Sequence, residues 1–166
     1  MEALAAFLGR ISNYNILNNL IPGAILCVLL KYLVGYDFMG VGTLELLVIF
    51  YFVGMVNGRI GSLIIEWFLK KTHLVTFRDH KSFVAAEQKD KKIVYLSETN
   101  NMYRSMISVA FTALIVKLYH IGVDMQWEWG NVTEWVFLVA MLVLFALAYR
   151  KQTNYIISRI DYHTKA

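Results

Sequence analysis

The chain has 166 residues, of which 58% are hydrophobic and only 17% charged. A soluble domain is roughly 45–50% apolar, and one this small has too little interior to hide the excess. The composition therefore excludes an ordinary water-soluble globule and makes lipid the solvent for part of the surface. The net charge of +4 reads as basic loops held beside anionic lipid, and nucleic-acid binding needs more than net charge. Cys27 is the single cysteine, which excludes an intramolecular disulfide and makes a cysteine-based metal site unexpected; no cofactor is expected.

The first residues, MEALAAFLGRI, carry Glu2 and lack the basic start and small-residue cleavage site of a secretory signal. Residues 1–12 are expected as an interfacial amphipathic helix, with Leu4, Phe7, Leu8 and Ile11 on one stripe. A first membrane segment follows over about 14–32. Its first half holds a cluster of amides, Asn13, Asn15, Asn18 and Asn19, and its second half is the apolar run GAILCVLL. Pro22-Gly23 between them kinks the helix or starts its membrane half. The amides cap the helix, hydrogen-bond at the interface or line a vestibule.

The second segment, about 44–69, is longer than roughly 30 Å of hydrocarbon requires at 1.5 Å per residue. Its later part, NGRIGSLIIEWFLKK, is expected to leave the membrane while still helical. Residues 70–104 read as a basic cytosolic segment with a short helix near HKSFVAAEQK and an apolar patch at Ile93–Leu96. A third segment over about 105–121 and a fourth over about 133–149 make a second hairpin, after the one spanning 13–69. A basic, aromatic tail occupies 150–166. The expected fold is an all-α integral membrane bundle of four helices.

Loop charges set the orientation. The loop after the first segment offers Asp37, and the loop after the third offers Asp124, Glu128 and Glu134, with no Lys or Arg in either. Both termini are then cytoplasmic, and Trp127, Trp129 and Trp135 form an outer aromatic belt.

Several residues are candidates for function. Gly54, Gly58 and Ser62 make a small-residue strip that lets another backbone approach, within the chain or from a second copy. Asn57, Arg59 and Glu66 lie at or below membrane depth, where an ionisable group must be paired, wetted or snorkelled to the interface. Ser105, Ser108 and Thr112 share one side of the third segment and suit interhelical bonds or a wet lumen. Lys117 and His120, with no acidic neighbour in sequence, are expected to snorkel outward. Arg78, Lys81, Lys89, Lys91 and Lys92, then Arg150, Lys151 and Arg159, interleave with aromatic residues such as Phe77, Phe83, Tyr155 and Tyr162. That pattern suits a single strand or nucleotide, and equally a positive-inside loop. No Walker A loop, GxGxxG, HExxH or GxSxG occurs, so an enzyme is not expected.

The run Asn13-Tyr14-Asn15-Ile16-Leu17-Asn18-Asn19-Leu20-Ile21-Pro22-Gly23 resembles the first span of small bacterial membrane proteins of anti-phage defence, the Hailong-type channels and the membrane subunits of Kiwa-type systems. The first resemblance implies an oligomeric ion channel controlled by a DNA oligomer. The second implies an oligomeric sensor that holds a cytosolic partner protein. Neither carries a site residue over to this chain. The expected function is a homo-oligomeric channel of the bacterial inner membrane, with a tetramer as the working copy number, gated by a cytosolic nucleotide or oligonucleotide. The competing reading is a non-conducting scaffold that recruits a cytosolic partner.

Overall fold

A computed structural model describes residues 16–124 and 132–164. The expected interfacial helix at 1–12 lies outside the described residues, as do Asn13, Asn15, Trp127 and Trp129. The asparagine-rich run opens as a π-helical turn, Ile16–Leu20, and passes directly into helix α1, Ile21–Val34. Pro22 occupies the first turn of α1, where its fixed φ suits the helix. It starts the α-helix and does not break it. At the other end Gly35 takes φ 76°. The Gly35 N–H donates to the Lys31 carbonyl at 3.1 Å and the Tyr36 N–H to the Leu30 carbonyl at 3.3 Å, a left-handed cap that glycine adopts without steric cost.

Helix α2 runs over Thr43–Lys71. Glu45 caps its start by accepting the Gly42 N–H at 3.1 Å, and a π-helical turn, Gly61–Ile65, interrupts it near its end. Helix α3, His80–Lys89, is capped by Asp79, whose carboxylate accepts the Ser82 N–H at 3.0 Å and hydroxyl at 2.7 Å. Helices α4, Lys92–Asp124, and α5, Val132–Thr164, have 33 residues each, about 50 Å at 1.5 Å per residue. No strand occurs among the described residues. Among the described residues three helices, α2, α4 and α5, are long and apolar enough to cross a membrane, and the apolar stretch Asn18–Val34 is shorter.

Two elements extend beyond their expected bounds. The third segment begins at Lys92, not near Ser105, so the patch at Ile93–Leu96 is its first turn. The region after Tyr149 continues α5 as helix through Thr164. Neither extension contains Pro or Gly, so nothing stops the helix where the apolar run ends. The two extensions also bury each other. Ile93, Ile156 and Ile160 form a small core with Ala86 of α3.

Helix α1 packs on α2 and α4, α4 pairs along its length with α5, and α3 lies across α5 and the start of α4. The main core gathers Leu26 and Leu30 of α1, Met106, Val109, Ala110 and Ala113 of α4, and Leu138 and Met141 of α5. Between α1 and α2 the backbones touch. A Cβ built on Gly54 would lie 1.8 Å from the Asn19 carbonyl oxygen, and one on Gly23 would lie 1.8 Å from that of Phe50. At Gly58 the nearest such atom is 3.8 Å away, on the Asn19 side chain. Ser62, the last residue of the strip, turns its hydroxyl to the Arg59 carbonyl at 3.0 Å.

The strip is therefore unequal. Gly54→Ala should destabilise the protein by about 1–3 kcal/mol, since a backbone must move to admit the methyl. Gly58→Ala should be neutral or stabilising by up to about 1 kcal/mol, as for an unobstructed helical glycine. Thermal stability in detergent, followed by fluorescence-detected size exclusion, checks this. Equal losses at the two positions would contradict the close approach at Gly54.

Candidate functional site

An amide in an apolar interior is costly unless its donors and acceptors are matched. Asn57 of α2 is 1% exposed and finds its partners on α4. Its Nδ2 donates to the Ser105 carbonyl at 3.0 Å. Its Oδ1 accepts from the Thr112 hydroxyl at 3.4 Å, and its own carbonyl accepts the Ser108 hydroxyl at 2.9 Å. Ser105, Ser108 and Thr112 fall on one helix face by their spacing, and that face meets Asn57. These groups close on each other inside the chain.

Directly after the π-helical turn, Glu66 accepts Lys70 Nζ at 2.7 Å and the Arg104 guanidinium from α4. Arg104 Nε is buried with no hydrogen-bond partner among the described residues. Arg59 contrasts with both. It is exposed, makes no ion pair among the described residues, and sits about 24 Å along α2 from Thr43. It borders a polar concavity of about 290 Å³ on the outside of the bundle, with Asn18, Asn19, Ser62, Asn101 and Arg104. A second cleft of about 530 Å³ opens on the other side of Arg104. Asn101 and Arg104 line both, and Glu66, Lys70, Phe77, Arg78, His80 and Tyr149 are among the other residues that line the second.

The basic residues singled out from the sequence are not gathered into one site. Arg78 makes a two-pronged pair with Asp161, at 2.8 Å and 2.6 Å. Arg159 pairs with Asp90, its Nε donating at 2.8 Å, and Lys89 donates to the His163 carbonyl at 3.0 Å. These contacts bolt α3 and the α3–α4 turn onto the last turns of α5. Lys81, Lys91, Lys92, Arg150 and Lys151 are exposed. Burial works to raise the Asp90 carboxyl, but the Arg159 guanidinium and the Lys92 N–H outweigh it and hold the group below the usual carboxylate range.

Lys117 does not snorkel outward. It is 3% exposed, pairs with Glu134 of α5, and places its Nζ 4.7 Å over the Trp135 ring. Its acid lies across a loop, where sequence adjacency could not reveal it. His120 meets the Tyr36 ring edge-on at 6.3 Å. Arg104 and Tyr149 were not singled out from the sequence, although Arg104 is the one cation between Lys92 and Lys117. The buried pair of Asn100 and Thr153, at 3.0 Å, likewise joins α4 to α5 through residues whose composition reads as ordinary polar helix.

The chain matches no protein-family profile, no curated protein and no solved structure at a significant level.

The Asp90 contact has a pH dependence of defined sign. A carboxyl with a lowered native pKa contributes stability that is present above its ordinary value, about 4, and is lost as pH falls through the native value. Protease cutting in the 72–79 connection should rise on acidification below pH 4. Asp90→Asn should show the raised cutting already at neutral pH. Equal resistance of the variant and the wild type at neutral pH would remove Asp90 as a bolt between α3 and α5.

Proposed function

We propose that this chain is a subunit of a homo-oligomeric channel of the bacterial inner membrane. Helices α1, α2, α4 and α5 span the bilayer, both termini are cytoplasmic, and an anionic nucleotide or oligonucleotide gates the channel from the cytosol. The observation that carries the reading is Arg59. An unpaired guanidinium facing hydrocarbon costs about 2.5–3.5 kcal/mol even on the lenient insertion scales. Here it borders a polar concavity on the outer face of an otherwise apolar helix. Water or a second copy at that face removes the cost. Asn57, Ser108 and Thr112 are satisfied within the chain, so an aqueous path runs between copies arranged about an axis and not through one bundle. The α1–α2 loop, with Asp37 and no Lys or Arg, supports its placement outside, opposite the basic end that holds α3. A role as an effector of anti-phage defence rests on the resemblance of residues 13–23.

One observation favours the scaffold reading. Lys81, Lys91, Lys92, Arg150 and Lys151 are each exposed on helices or a turn that the docking of α3 on α5 holds in place, and exposed cations suit an acidic cytosolic partner protein.

Reversal potential in asymmetric salt separates the two. A basic residue beside a narrow path favours anions. Arg59→Glu should move the reversal potential toward the cation limit by tens of millivolts, the anion and cation limits in a tenfold gradient lying roughly 59 mV on either side of zero. Absence of current under every nucleotide tested would leave the scaffold reading. Current with an unmoved reversal potential would keep the channel and remove Arg59 from its selectivity.

A further inference from the structure

The 530 Å³ cleft is bounded by the end of α2, by α3, by α4 and by the second half of α5. Its volume lies in the range of small-ligand sites, about 300–1,000 Å³. Its charges do not balance locally. Arg78 is committed to Asp161, which leaves Lys70 and Arg104 to share the single carboxylate of Glu66. A guanidinium has five N–H donors in a fixed fork, and Arg104 Nε is buried with no acceptor among the described residues. Lys70 is half exposed at the mouth, with its Nζ 4.7 Å from the centre of the Phe77 ring. The set lacks one component, a negatively charged group with several acceptor oxygens. A phosphate meets that need, since it engages Arg through two parallel bonds and Lys as a point charge.

We propose that this cleft binds a phosphate group between Lys70 and Arg104, in competition with Glu66. The site deepens the channel reading, because it gives a cytosolic anion an address, and it rests on that reading for access from the cytoplasm. It also carries a consequence for the path. Arg104 walls both the cleft and the concavity beside Arg59, so a ligand that draws Arg104 away from Glu66 changes the partition between them. The phosphate comes from an inner-leaflet phospholipid headgroup or from a soluble compound, and both present the same chemistry to these two side chains.

The test measures binding separately from conduction. In one arm, ATP is titrated by equilibrium dialysis onto the full chain in phosphatidylcholine nanodiscs. In the other, native mass spectrometry counts phosphatidylglycerol retained from mixed phosphatidylcholine–phosphatidylglycerol nanodiscs. Saturable ATP binding assigns a soluble source, and selective phosphatidylglycerol retention assigns a lipid. In the responding arm, Lys70→Gln and Arg104→Gln should each weaken binding roughly tenfold, the loss of one charge-assisted hydrogen bond. Glu66→Gln should strengthen it severalfold by removing the competitor. Lys70→Gln leaves the Glu66–Arg104 pair in place, so its effect stands even if Arg104→Gln fails to assemble. Response in neither arm would overturn the proposal, and so would a loss of binding in Glu66→Gln like that in Arg104→Gln, which would make the three residues a structural cluster. Binding without current would keep the site and refute the channel, whereas current without binding would do the reverse.

Discussion

Contact between the backbones of α1 and α2 at Gly23 and Gly54 is the constraint on which the rest of the bundle depends. Helices in lipid gain nothing from hiding apolar surface from one another, so their association needs close packing and hydrogen bonds. With no side chain between the two backbones, the face of α2 below Gly54 is held against α4. Asn57 then reaches Ser105, and a Cβ built on Gly61 would lie 3.4 Å from the Arg104 carbonyl oxygen. The π-helical turn at Gly61–Ile65 holds one extra residue, which rotates everything after it by about 100° relative to a regular helix. That rotation brings Glu66 to Arg104. A packing contact near the middle of α2 thus sets an ion pair near its end.

Polar groups along the apolar helices fall into two kinds. Asn57 with Ser105, Ser108 and Thr112, Asn100 with Thr153, and Lys117 with Glu134 are matched across helix pairs. Matching of this sort orders the helices and uses up the chemistry of the groups involved. Arg59, and the free donor of Arg104, are of the second kind. Both residues border cavities, and the Arg104 Nε donor lacks an acceptor among the described residues. The functional proposals rest on that second kind, and the cleft and the outer concavity meet at Arg104.

The apolar runs of α2, α4 and α5 were legible in the sequence because twenty or so apolar residues have few other uses. The ends of α4 and α5 were not, because a change from apolar to polar composition marks where lipid contact stops and not where a helix stops. KIVYLSETNNMYR and RKQTNYIISRIDYHT contain no breaker, and each supplies apolar residues that bury the other's. The small-residue strip was visible, but the difference between Gly54 and Gly58 depends on which α1 atoms lie opposite. Lys117 and Glu134 could be matched only once α4 and α5 were antiparallel neighbours. Of the basic residues chosen for ligand binding, Arg78 lines the cleft and the others do not. Arg104 was hidden by its place at the edge of an apolar run, where any single cation reads as an interfacial anchor.

The central claim is that the Arg59 face of α2 borders water between copies of the chain, and cysteine accessibility tests it most directly. In a Cys27→Ser background, single cysteines replace Met55, Arg59 and Ser62 on that face and Val56 and Leu63 on the adjoining exposed surface. Each variant is treated in intact membranes with a charged methanethiosulfonate, which reacts with the thiolate and so needs water at the sulfur. The account predicts rapid labelling at 55, 59 and 62 and slow labelling at 56 and 63. Protection at 59 and 62 equal to that at 56 and 63 would place the whole surface in lipid and contradict it.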